Sequence, residues 1–250
     1  MDTRLGRIRD SERKSHTEIY TTEKLYQTDS WLKKPIRTVQ DIIPLFSEYN
    51  TIQMLDLGAG IGRNSIYVAN ECRDKECRID CVDLLEIAIE KLMENAVEYG
   101  VEDNIRGYVK SIEEYDIVPN TYDLILAVSA LEHVDSESTL VRMLEQIQEG
   151  TRKNGIVCLV INSEITEINA DTLEELEPLF EVNLPTATIL SYLEEIYSSW
   201  TMIKQSVVDQ KYDIPRENIL SQLSTKVVTF VARKDTGEDQ KLAYGKDYNK

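Results

Sequence analysis

The chain has 250 residues, 42% hydrophobic and 29% charged, which suits one folded domain with additions and excludes wholesale disorder. Its 45 Asp and Glu outnumber 28 Lys and Arg, giving a formal charge of −17. Such a chain repels phosphate backbones and anionic bilayers, so neither nucleic acid nor membrane is an expected partner.

Residues 1–34 read as a polar N-terminal arm. Its opening, MDTRLGRIRDSERK, lacks the apolar core of a signal peptide, and the cytoplasm is the expected compartment. The scattered aromatics Tyr20, Tyr26 and Trp31 pack on the flank of the main domain or form a lid over a substrate pocket. Between Pro35 and Tyr49, apolar residues recur at helical spacing, and Pro44 predicts a bend or restart.

An alternation then sets in. TIQMLDL (51–57) is a short apolar run ending in a glycine turn, as expected of a buried parallel strand, and IGRNSIYVANE predicts a helix. RIDCVDL predicts the second strand, and LLEIAIEKLMENAVEYG an amphipathic helix closed by Gly100. NIRGYVK, YDLILAV (122–128) and GIVCLVI (155–161) predict three more strands, with the helix ESTLVRMLEQIQEG between the last two. Such βαβ units imply a parallel sheet covered on both faces. The acidic run DTLEELEPLFE reads as a solvated helix, and TATILSYLEEIYSSW as a packed one. TMIKQSVVDQ and STKVVTFVARK follow as two strands around a loop with Pro215. No helix intervenes, so they form an antiparallel pair at one edge of the sheet. Residues 35–234 are thus the main domain and 235–250 a flexible tail.

LDLGAGIGR (55–63) carries the chemistry. Gly58, Gly60 and Gly62 lie between a predicted strand and helix, where backbone N–H groups can approach a ligand that a Cβ would exclude. Asp83 ends the next strand, where an acid can take both hydroxyls of a ribose, or else cap the following helix. The dinucleotide fingerprint G-x-G-x-x-G is broken by Arg63, and Asp56 before the turn repels a pyrophosphate but suits an ammonium group. The pattern therefore favours a ligand carrying a ribose and an amino acid.

D-L-G-A-G-I-G with Asp83, followed by YDLILAVSALEHV and the K-N-G before the fifth strand, resembles the class I S-adenosylmethionine-dependent methyltransferases. GRNSIYVA and the ending EEIYSSW with two closing strands are similar to the tellurite-resistance-type bacterial members. The resemblance implies an α/β fold, Rossmann-like and doubly wound, with a mostly parallel seven-stranded sheet and an antiparallel terminal strand. It implies S-adenosylmethionine as cofactor and S-adenosylhomocysteine as product. Asp56, Gly58, Ala59 and Gly60 would surround the methionine moiety; Arg63 and Asn64, which open the next helix, are either solvated first-turn residues or hold the cofactor carboxylate or an anionic substrate. Asp83 and Leu84 would serve the ribose, Ser111 and Ile112 the adenine, and Val128 and Ser129 the methyl side. Ser111 stands where the family usually carries an acid.

His133 follows the fourth strand, where open α/β sheets place their sites, and is the candidate general base. VSAL replaces the N/D-P-P-Y/F motif of enzymes acting on base nitrogens or glutamine amides. With the charge, this points to a small-molecule acceptor, a protein side chain being the second option. A nicotinamide-dependent oxidoreductase and a catalytically silent S-adenosylmethionine-binding protein are the alternatives. Cys72, Cys77, Cys81 and Cys158 are spaced too irregularly for a disulfide framework or metal site, and no metal is expected.

Overall fold

A computed structural model describes residues 4–28, 30, 32–216 and 219–235. Trp31 and residues 236–250 of the expected tail lie outside them. Among the described residues, eight strands share one sheet: β1 (Thr51–Leu57), β2 (Glu76–Asp83), β3 (Ile105–Val109), β4 (Tyr122–Val128), β5 (Thr151–Asn169), β6 (Glu175–Leu176), β7 (Thr201–Arg216) and β8 (Ile219–Arg233). Their order is β3-β2-β1-β4-β5-β8-β7, with the two-residue β6 on β5. The first five strands pair in parallel, and β8 runs antiparallel between β5 and β7.

The helices are α1 (Arg4–Thr22), α2 (Arg37–Ile42), α3 (Ser65–Glu71), α4 (Glu86–Glu98), α5 (Glu137–Gly150) and α6 (Thr186–Ile196). Pro44 ends α2 in a short 3-10 turn, Ile43–Phe46, because its ring cannot continue the α-helical hydrogen bonds. Strand pleating explains why the central runs are apolar throughout. Met54, Leu124 and Leu126 enter a core with Ile66 and Leu92 of α3 and α4. Leu55, Leu57, Ile125 and Ala127 enter the opposite core with Leu140, Leu144 and Leu193 of α5 and α6.

Three expectations change. The fifth strand does not stop at Ile161 but runs to Asn169, past a register shift between Ser163 and Thr166. Ser163 and Glu167 occupy buried positions there, so the extension lacks an apolar signature. Arg216 grips Glu167 with two hydrogen bonds of 2.7 and 2.6 Å, and the Ser221 hydroxyl donates a third, which offsets the burial of the charge. For the same reason the closing strands reach Arg216 and start again at Ile219, instead of parting in a wide loop around Pro215. Finally, DTLEELEPLFE is not a helix: it holds β6 and an extended path through Pro178, its carboxylates answering α1. Arg4 Nε lies 2.7 Å from Glu177 Oε1, and its Nη2 donates to the Phe180 carbonyl.

Candidate active site

The sheet changes direction of winding between β1 and β4, and at such a switch point the strand ends diverge to leave a crevice. The turn after β1 lines it. Gly58 has φ +74°, and a Cβ there would fall 2.5 Å from that of Ala130, so only glycine lets the two loops meet. The N–H groups of Gly58 and Ala59 both donate to the Val82 carbonyl, at 2.8 and 3.0 Å, pinning the turn to β2. Gly60 N–H donates to Asp83 Oδ2 at 2.8 Å, and Leu85 N–H to Asp83 Oδ1 at 3.0 Å. Asp83 therefore holds both backbone segments and still has lone pairs facing the crevice, since a carboxylate accepts about four hydrogen bonds. Burial raises its pKa, against the pull of those two N–H donors.

The crevice is roofed by α1, and the cavity between them is lined by Arg9, Glu12, Arg13, His16 and Tyr20 from the helix. Gly58, Asp83, Leu84, Leu85, Ser111, Ile112, Ser129, Ala130, His133 and Glu181 complete it. Tyr20 is buried over the glycine turn, its hydroxyl 3.0 Å from where a Gly60 Cβ would stand. Burial, with Asp83 and Glu12 nearby, raises its pKa and keeps it a neutral phenol. Leu84 is 45% exposed although it faces this cavity, an open apolar surface opposite Ile112.

Of the predicted cofactor residues, Gly58, Asp83, Leu84, Ser111, Ile112 and Ser129 line the cavity, as do Tyr20 and His133. The remainder stand behind it. Asp56 is buried, accepts a short hydrogen bond from Ser65, and has its pKa raised to about 6 by that burial. Arg63 is half-buried, its pKa lowered by desolvation against the opposing pull of Asp56. Asn64 accepts from Ile36 N–H at 3.1 Å, tying the start of α2 to the glycine turn. Tyr26 donates to the Arg63 carbonyl at 2.8 Å and meets Tyr99 edge to face, so it supports the turn from outside. Ala59 is buried within the turn and Val128 is half-buried at the end of β4.

His133 is more constrained than a free base would be. Its Nδ1 lies 3.1 Å from Glu12 and 3.0 Å from Glu181, and its ring stacks on Phe180. Burial disfavours the imidazolium, but the two carboxylates outweigh it and hold the pKa well above the usual histidine range. Glu132 next to it is fully buried. Asn162 donates to its Oε1, while Oε2 finds no hydrogen-bond partner among the described residues.

Of the α1 cavity residues only Tyr20 was expected from the sequence; Arg9, Glu12, Arg13 and His16 were missed, although Arg9, Glu12, His16 and Tyr20 recur at three- and four-residue intervals on one face. Glu181 gave no signal, lying in an unpatterned acidic stretch.

A family model described as a methyltransferase domain matches residues 54–155. No curated protein sequence matches the chain. Among solved structures, TehB from Haemophilus influenzae is similar at a TM-score of 0.57 and 20% identity, over 78% of this chain and 62% of its own. This chain thus spans less than two thirds of that protein. The 1,6-didemethyltoxoflavin-N1-methyltransferase of Burkholderia thailandensis, solved with S-adenosylhomocysteine, gives 0.56 and 17% over 92% and 89%. The cyclase SpnF gives 0.54 and 13% over 79% and 81%. Residues 54–155 thus match a methyltransferase domain, and the strand order and the solved neighbours give the chain the Rossmann-like fold of S-adenosylmethionine-dependent methyltransferases.

Proposed function

We propose that this chain moves a methyl group from S-adenosylmethionine to a small-molecule nucleophile, by in-line displacement, in the cavity closed by α1. The observation that carries the reading is the pairing of a glycine turn with Asp83 under a roofing helix. The residues fit the cofactor. Gly58 offers a cradle that any Cβ would fill, Asp83 keeps acceptors for ribose hydroxyls, and Leu84 and Ile112 offer apolar surface for adenine. Asp56 and Arg63, which stand behind the turn, would act on the ammonium and carboxylate of the methionine end through their charge and not by lining the cavity.

S-adenosylmethionine supplies a methyl group already activated on a cationic sulfur. The protein's share is alignment and exclusion of water, which in well-oriented reactions lowers barriers by roughly 7–11 kcal/mol. Tyr20 over the turn and α1 across the mouth provide the exclusion. His133, held by two carboxylates, orients the roof instead of accepting a proton. A roofed cavity also favours small acceptors over macromolecular ones, and the Burkholderia neighbour acts on a small heterocycle.

Calorimetry with S-adenosylhomocysteine tests the site. Asp83→Ala should weaken binding by at least about 10-fold, the loss of two charge-assisted hydrogen bonds, and an unchanged affinity overturns the ribose assignment. Because a cyclase shares the fold, methylated product detected by mass spectrometry across a nucleophile panel is the readout for methyl transfer itself.

A further inference from the structure

The chain has only two histidines, and both converge on one carboxylate. His133 Nδ1 lies 3.1 Å from Glu12 Oε1, and His16 Nε2 lies 3.7 Å from that same oxygen. Glu181, whose side chain is 1% exposed, brings Oε2 to 3.0 Å from His133 Nδ1. Three segments distant in sequence thus meet at one point: α1, the turn after β4 and the extended path before α6. The arrangement is not satisfied by hydrogen bonding alone. One ring nitrogen carries at most one N–H, which can point straight at one oxygen and not at two. His16 Nδ1, moreover, is buried without a hydrogen-bond partner among the described residues.

The geometry points to a binding site for a divalent first-row transition cation, with Glu12, His133 and Glu181 as ligands and His16 as the adjacent fourth donor. The donor atoms of the first three lie within 4.8 Å of one another. Tetrahedral bonds of ~2.0–2.2 Å set ligand atoms ~3.3–3.6 Å apart, so the two short separations need open by only about half an ångström. Two carboxylates neutralise a divalent charge. Imidazole with carboxylate suits manganese, iron or zinc, whereas calcium and magnesium take all-oxygen shells and softer ions take thiolates. Arg9 does not block the site: its guanidinium is held by Glu113 at 3.0 Å and touches Glu181 through Oε1, leaving Oε2 to the cluster. An ion here would fasten α1 to the body of the domain, and it would face the cavity that all four residues line.

The test uses the full chain, stripped with a chelator and titrated with Mn²⁺ alone under electron paramagnetic resonance. The expected result is one ion per chain in the micromolar range, with modulation from a coordinated imidazole nitrogen. Glu12→Gln and Glu181→Gln should each weaken binding at least about 10-fold, with circular dichroism confirming that both variants fold. Should either fail to fold, His133→Gln replaces it. Mn²⁺ should also slow tryptic cleavage within α1 of the native chain and not of the variants. Absence of saturable binding, absence of nitrogen modulation, or binding indifferent to the carboxylate substitutions would overturn the assignment.

Discussion

Asp56 shows how one residue sets function against stability. It lies at the end of β1, fully buried, with Ser65 as its hydrogen-bond donor. Burial moves its pKa from 3.8 to about 6, so the folded chain binds this proton more tightly than the unfolded chain does. The sign follows from linkage. Nothing is lost below the unfolded value, and stability falls as pH rises from there through about 6. The full cost, for a shift of about two units, is about 3 kcal/mol at neutral pH. Asp56→Asn should remove that slope: urea unfolding at about pH 7.5 should show a stability gain of this order, absent at about pH 4. The same variant should bind S-adenosylhomocysteine more weakly, because the amide no longer offers a negative charge to the ammonium group.

Among the elements, α1 has two faces with different tasks. Ile8 is wholly buried and anchors the helix, while Arg9, Glu12, His16 and Tyr20 turn to the cavity. Ile8→Ala should cost ~2–4 kcal/mol, since an anchor methyl cluster is removed without a substitute. That loss falls on the docking of α1 and not on the sheet, whose core Ile8 does not share. Trypsin should therefore cut α1 faster in the variant, and cofactor affinity should fall as Tyr20 leaves the turn, with the main thermal transition little moved. A fall of the main transition by the full cost would mean that the helix and sheet unfold together.

For the whole molecule the charge of −17 acts as a distributed self-repulsion. Raising sodium chloride from about 10 to 200 mM should shorten the screening length from ~30 to below 10 Å and raise the melting temperature. Much of the architecture was legible because buried parallel strands leave unmistakable apolar runs: YDLILAV became β4 with both faces in core. The glycine turn and Asp83 were legible for a related reason, as both answer to backbone geometry local in sequence. What escaped was set by long-range polar pairing. The far half of β5 buries Ser163 and Glu167, and Glu167 is tolerated only because Arg216 comes back to meet it. Likewise nothing in residues 164–182 foretold Glu181, whose meaning depends on a helix at the other end of the chain.

That dependence orders events during synthesis. Arg4 is held by Glu177 and the Phe180 carbonyl, Arg9 by Glu113, and Glu12 shares His133 with Glu181. Helix α1 packs on α4 and sets Tyr20 over the glycine turn, contacts that need only residues up to α4, whereas its ion pairs with Glu177 and Glu181 wait for the segment before α6. The roof is therefore fastened in two stages, an apolar seat near the glycine turn and then a polar clasp far along the chain, and a change in residues 177–181 loosens the mouth without touching the crevice beneath it.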